Sequence, residues 1–195
     1  MGLPGCDAGD KLVKNMADDK NKIILILGGA RSGKSAYAQQ LAAVMGHRVL
    51  FCATAEALDE EMQDRIKKHR ESRPGDWQTL EASRQVGRAL NGLTAAYDAV
   101  IVDCITLLIS NCMHLESDDA AAEKDVTQEI DSLIDAVGHR RSNYILVSNE
   151  VGGGLVPDNK LGRIYRDHLG KTNQRLARAA DEVYLMVAGI AVRVK

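Results

Sequence analysis

One stretch of eight residues constrains this chain more than any other. Positions 28–35 read Gly-Gly-Ala-Arg-Ser-Gly-Lys-Ser. They follow the apolar run Ile23–Leu27 and precede a segment with Ala, Gln and Leu at helical spacing. This is G-x-x-x-x-G-K-[ST] in the setting its chemistry needs: a strand, a glycine-rich loop, then a helix. Gly28 and Gly33 permit backbone angles that a side chain resists. The amides of Gly28, Gly29, Ala30, Arg31, Ser32 and Gly33 are then expected to turn inward around phosphate oxygens. The positive end of the following helix adds to that attraction. Lys34 reaches the β- and γ-phosphates as a point charge, and Ser35 offers a hydroxyl to Mg2+. The loop predicts binding of a nucleoside triphosphate.

The rest of the chain alternates in the same way. Strands are expected at 23–27, 48–53, 99–104 and 144–147; the first is a short continuous apolar run, as expected of a strand covered on both faces, and the third ends in the polar Asp103. Helices are expected at 33–45, 59–70, 83–93 and 120–138, and from beyond Pro157 to about 180. A closing pair, 183–187 and 190–194, flanks Ala188-Gly189, a hairpin-turn dipeptide. The fold class is therefore α/β: a P-loop NTPase with a RecA-like, mainly parallel sheet covered by helices and ending in an antiparallel strand pair. Residues 1–21 are rich in Gly, Asp, Asn and Lys without periodicity. They read as a disordered tail, with Met16 as an alternative start. Residues 22–195 read as a single nucleotide-binding catalytic domain.

Bulk properties narrow the partners. The formal net charge is −2, which argues against a general electrostatic grip on nucleic acid. No segment approaches the ~20 apolar residues of a membrane span, and no secretory signal is present, so a cytoplasmic location is expected. Cys6, Cys52, Cys104 and Cys112 form no C-x-x-C pair and read as reduced thiols. Cys112 and His114 alone are too few ligands for a zinc site.

Two further residues carry chemistry. A triphosphate site needs an acid at the end of a buried strand to hold magnesium, and Asp103 in Ala-Val-Ile-Val-Asp-Cys fits. Asp103 also suits a helix N-cap, since a helix follows it. His69 lies in Lys67-Lys68-His69-Arg70, on the same helix side as Met62 and Ile66. Spacing alone makes it a half-buried packing residue. As a nucleophile it has the right chemistry, because an imidazole is largely uncharged at neutral pH, and nearby cations steady phosphate charge.

Several motifs in order then resemble one family. They are GGARSGKS, VLFCAT at 49–54, LDEEMQDRIKKHRESRPGDWQTLEA at 58–82, IVDCIT at 101–106, LVSNEVGGGLVP at 146–157 and GRIYRDHLGKTNQRLARAADEVYLMVAGI at 162–190. From Lys22 to Lys195 the chain is similar to bifunctional adenosylcobinamide kinase / adenosylcobinamide-phosphate guanylyltransferase. The resemblance implies two reactions. ATP or GTP phosphorylates the aminopropanol hydroxyl of adenosylcobinamide. A histidine then takes GMP from GTP, releasing pyrophosphate, and passes it on to give adenosylcobinamide-GDP. It implies that His69 is the guanylylated histidine. It adds Ala53, Thr54 and Ala55, the segment Arg70, Glu71, Ser72 and Arg73, and Glu81 and Asp103 as nucleotide contacts. Ala55 stands where the family's serine is expected, Ser72 replaces a common glycine, and Asp103 is a glutamate in some relatives. Without the resemblance, Glu81 reads as a surface carboxylate and Arg70 and Arg73 as solvated. The resemblance also implies a homotrimer and a corrinoid substrate. Asn149, Glu150, the glycines at 152–154, Arg163, Arg166 and Asn173 read either as the corrinoid side of the pocket, since they follow a parallel strand, or as a flexible connection followed by a charged helix face. A small-molecule kinase without the covalent step, or a nucleotide switch acting on a partner, remain the alternatives.

One P-loop serving two phosphorus atoms sets a geometric problem. The loop grips the β/γ end, whereas guanylyl transfer needs His69 in line with the α-phosphorus at roughly 3–3.5 Å. The highly charged helix bearing His69 is therefore expected to move, or the triphosphate to rebind in a second pose.

Overall fold

The computed structural model describes residues 21–56, 59–71, 73–113 and 119–195. Strands β1 (Ile23–Gly28), β2 (Val49–Ala53), β3 (Gln78–Glu81), β4 (Ala99–Asp103), β5 (Asn143–Val147), β6 (Glu182–Val187) and β7 (Ile190–Arg193) form one sheet. Its order is β3-β2-β4-β5-β1-β6-β7. Every pairing is parallel except β6 with β7. The mainly parallel sheet with a closing antiparallel pair is as the sequence predicts. The turn at Ala188 (φ 50°) and Gly189 (φ 84°) is left-handed at both positions, the twist a two-residue hairpin favours.

The helices are α1 (Lys34–Met45), α2 (Glu60–Glu71), α3 (Val86–Asn91), α4 (Ile105–Cys112), α5 (Asp119–Gly138) and α6 (Lys160–Ala179). Side chains alternate across the strands and so feed two cores. Ile24, Ile26, Val49, Phe51, Ala99, Ile101, Ile145 and Val147 pack against α1 through Ala38, Leu41 and Ala42. Leu25, Leu50, Cys52, Val100, Val102 and Leu146 face α3, α4, α5 and α6. Both sets are continuously apolar because both faces of the sheet are covered.

Three boundaries differ from the sequence reading. The helix expected over 83–93 is shorter, Val86–Asn91, because Gln85 sits at φ 54° and breaks the helical path before it. Strand β3 was not anticipated. Its four residues, Gln-Thr-Leu-Glu, include none that is fully buried, and it forms the sheet's edge. Asn21, assigned to the tail, is tied to Arg140 by two hydrogen bonds of 2.8 and 2.9 Å. Residues 1–20 and His114 lie outside the described residues.

Candidate active site

The C-terminal edge of the sheet gathers the candidates. In register, Glu81 pairs with Ala53, Ala53 with Asp103, and Asp103 with Val147. Val147 pairs in turn with Ile26, two residues before Gly28. Parallel strands all end at this edge, where α/β proteins bind ligands. Strand β5 separates the loop-bearing β1 from the Asp103-bearing β4, so the two come together only through tertiary pairing.

Residues 28–35 form the expected loop into a helix. Gly28 (φ 152°) and Gly33 (φ 97°) occupy positive φ. A Cβ on Gly28 would lie 2.6 Å from Ser32 Oγ and 2.8 Å from the Met186 carbonyl, so glycine is required there on space alone. Arg31, at φ 57°, is exposed. No side chain caps the start of α1, which leaves its first N–H groups for an anion. Lys34 is buried, and its Nζ donates to the Gly29 carbonyl at 2.7 Å. Ser35 is half-buried. Among the described residues Ser32 Oγ is buried without a hydrogen-bond partner, and a polar ligand would satisfy it.

His69 lies over the same edge. Its Nε2 is 3.2 Å from Asp103 Oδ2, and its ring meets Phe51 edge-on at 5.7 Å. An ionised carboxylate only accepts, so Nε2 carries a proton in this contact. Asp103 is not a helix cap: Cys104 holds that position before α4. The Arg73 guanidinium stacks on Phe51 with its carbon 3.4 Å from the ring centroid. Burial lowers the Arg73 pKa, against the opposing pull of Asp103. Among the described residues Arg73 Nε is buried without a hydrogen-bond partner. A partly desolvated guanidinium with an unused donor suits a phosphate oxygen.

The remaining predicted contacts are spread more widely. Arg70 and Glu81 face each other at 3.8 Å and both are exposed, as is Glu71. Ala53 and Ala55 are half-buried. Thr54 is fully buried, and its hydroxyl donates to the Cys104 carbonyl and accepts from the Cys104 amide, both at 2.8 Å. It thereby fixes the backbone just after Asp103. Ser72 lies outside the described residues. Burial first, then the Asp103 charge, pushes the Cys104 thiol up to about 11, so it stays protonated and poorly nucleophilic at neutral pH.

Ser35 and Asp103 supply oxygen donors, the kind magnesium takes, and magnesium keeps waters and substrate phosphates as its other ligands. The donor chemistry fits. Among the described residues no group of three His, Cys, Asp or Glu side chains is placed to hold a metal by itself.

Sequence reasoning missed the supports. Asn173 is buried and accepts from Ser148 Oγ at 2.7 Å while donating to the Asn149 carbonyl at 3.0 Å. Thr106 Oγ1 accepts from the Asn149 amide at 2.8 Å, and the Glu150 amide donates to the Gly28 carbonyl at 3.0 Å. The loop after β5 is thus fastened beside the phosphate loop. Arg163 spends its guanidinium on the Pro157 and Asp158 carbonyls. Arg166 is half-buried, and Gly152–Gly154 are exposed. A separate cavity of ≈ 300 Å³ between α5 and α6, lined by Glu123, His168, Lys171 and Arg175 among others, contains none of the predicted site residues. Its Lys171 and Arg175 are already paired, with Glu123 and Asp131.

Comparison with known proteins adds to this geometry. The family model described as cobinamide kinase / cobinamide phosphate guanyltransferase matches residues 24–194. The chain is 42% identical over 183 residues to the bifunctional adenosylcobalamin biosynthesis protein CobU of Salmonella typhimurium, covering 89% of this chain and 99% of that one. It is 41% identical over 171 residues to the bifunctional adenosylcobalamin biosynthesis protein CobP of Pseudomonas aeruginosa, covering 88% and 96%. Among solved structures, the flagellar accessory protein FlaH of Methanocaldococcus jannaschii superposes with a TM-score of 0.53 at 16% identity, covering 100% of this chain and 86% of that one. That likeness concerns the fold alone.

Proposed function

We infer the chemistry of this chain from the family to which it belongs, cobinamide kinase / cobinamide phosphate guanyltransferase: it is a bifunctional transferase of adenosylcobalamin biosynthesis. In the kinase step, the hydroxyl oxygen of adenosylcobinamide attacks the γ-phosphorus of ATP or GTP. The bond from γ-phosphorus to the β-bridging oxygen breaks, and the nucleoside diphosphate leaves. In the guanylyl step, a ring nitrogen of His69 attacks the α-phosphorus of GTP, and pyrophosphate leaves. The phosphate oxygen of adenosylcobinamide phosphate then attacks the same phosphorus, the P–N bond breaks, and the imidazole is regenerated with adenosylcobinamide-GDP as product.

The residues carry these roles as follows. The amides of 28–33 and Lys34 hold the triphosphate tail and offset charge on the leaving oxygens. Asp103 orients the His69 ring through Nε2. Arg73, stacked on Phe51, takes a phosphate oxygen. Ser35 and Asp103 would hold magnesium, which supplies charge neutralisation at the β- and γ-oxygens when bound. The same Asp103 carboxylate would thus serve both the metal and His69.

The observation that carries the reading is the 3.2 Å contact between His69 and Asp103 at the sheet edge shared with the phosphate loop. The test is incubation with α-labelled GTP. The wild type acquires an acid-labile, alkali-stable label, and His69→Ala does not while still phosphorylating adenosylcobinamide. An unlabelled wild type with kinase activity would leave the simple-kinase alternative. Dependence on cellular triphosphates supports a cytoplasmic setting. A homotrimer belongs to the same proposal: edge strand β7 exposes Ile190 and Val192, with Val194 just beyond it, and sedimentation velocity reads the assembly's order.

A further inference from the structure

We propose that the turn of the β6–β7 hairpin is a positioning element for the triphosphate, acting through the backbone N–H of Gly189; this rests on the nucleotide-binding reading of residues 28–35. The Gly189 amide donates to the Ser32 carbonyl at 3.0 Å. The ladder of the hairpin closes at Val187 and Ile190, so the Gly189 N–H is free of the ladder and available to the phosphate loop. The peptide between Ser32 and Gly33 is planar and trans, so its C=O and N–H point in opposite directions. Holding the Ser32 carbonyl against the hairpin therefore turns the Gly33 N–H away from it, towards the ligand side.

Contact between the backbones reinforces the arrangement. A Cβ on Gly33 would lie 3.2 Å from Gly189 Cα. At the other end of the loop, a Cβ on Gly28 would lie 2.8 Å from the Met186 carbonyl. The end of β6 and its turn thus back both hinge glycines. A loop held this way has its donors aimed before the ligand arrives and loses less freedom on binding. Gly189 is a positioning residue and touches no reacting atom.

The experiment compares three proteins: the wild type, an all-amide protein reassembled by ligation of a synthetic 188–195 peptide, and an analogue made by the same ligation whose Ala188–Gly189 amide is replaced by an ester. The ester removes the N–H and keeps the turn. The readouts are Kd for the β,γ-imido analogue of GTP with magnesium and the melting temperature without nucleotide. The ester analogue is expected to bind about five- to tenfold more weakly than the all-amide protein, the size of one hydrogen bond, with its melting temperature within about 2 °C. The all-amide protein, which keeps the N–H, is expected to match the wild type. An ester analogue that binds like the all-amide protein overturns the proposal. So does one whose weaker binding comes with a matching loss of melting temperature. A wild type that does not bind the analogue refutes the underlying nucleotide reading instead, which keeps the two failures apart.

Discussion

Helices α1 and α2 bring Lys34 and His69, the residues proposed for the two halves of the chemistry, to the same edge, and the protein holds them differently. Helix α1 follows the phosphate loop and buries Lys34, Ala38, Leu41 and Ala42 against the sheet. Helix α2 carries His69, and none of its described residues is fully buried. Its hold on the sheet edge includes the His69–Asp103 contact, the His69–Phe51 edge contact and the exposed Arg70–Glu81 pair. Triphosphate gripping needs donors fixed in advance, whereas serving two phosphorus atoms needs a nucleophile that can come and go. Low burial is what low local stability looks like.

Substitutions that sharpen this contrast fall in a sequence of decreasing size. His69→Ala should lower guanylyl transfer by roughly 10⁴-fold or more, as loss of a nucleophile does, while kinase turnover stays within a few-fold; paired product assays by mass read both. Lys34→Ala should lower both activities together by about 10²–10³-fold, the scale of one lost charge-stabilising donor. Equal loss of both activities in the His69 variant, with folding intact, would break the division of labour. Leu41→Ala, beneath α1, should cost about 3 kcal/mol of folding stability, whereas Ile66→Ala on α2 should cost below about 1 kcal/mol because little burial is lost. Denaturant titration measures both, and equal costs would show α2 to be as firmly seated as α1. Glu81→Gln should change stability by less than about 0.5 kcal/mol, since exposed ion pairs contribute little.

Local chemistry was legible in the sequence, and distant pairing was not. The phosphate loop is contiguous, so spacing alone revealed it. Strands β1, β2, β4 and β5 announced themselves as continuous apolar runs because both faces are covered. Strand β3 did not, since an edge strand of four half-covered residues carries no such run. His69 looked like packing, and in part it is: it touches Phe51. Its meeting with Asp103 links positions 34 residues apart and depends on a sheet order that periodicity does not encode. Asn173 reads equally well as corrinoid-side or as part of a charged helix face, and its amide in fact fastens the Ser148–Asn149 loop. A polar residue on a helix looks the same in sequence whether it greets solvent or fastens a neighbouring loop.

The place of β1 within the sheet has a consequence for how the protein is made. The strand leading into the phosphate loop is the first described strand to leave the ribosome, yet its partners are β5 and β6, which follow well over a hundred residues later. A nascent chain can pair β2 with β3 and β4 early and must keep β1 waiting. Since β5 and β6 flank β1 and the turn after β6 backs the loop, the phosphate loop can take its binding shape only after these later strands have been made.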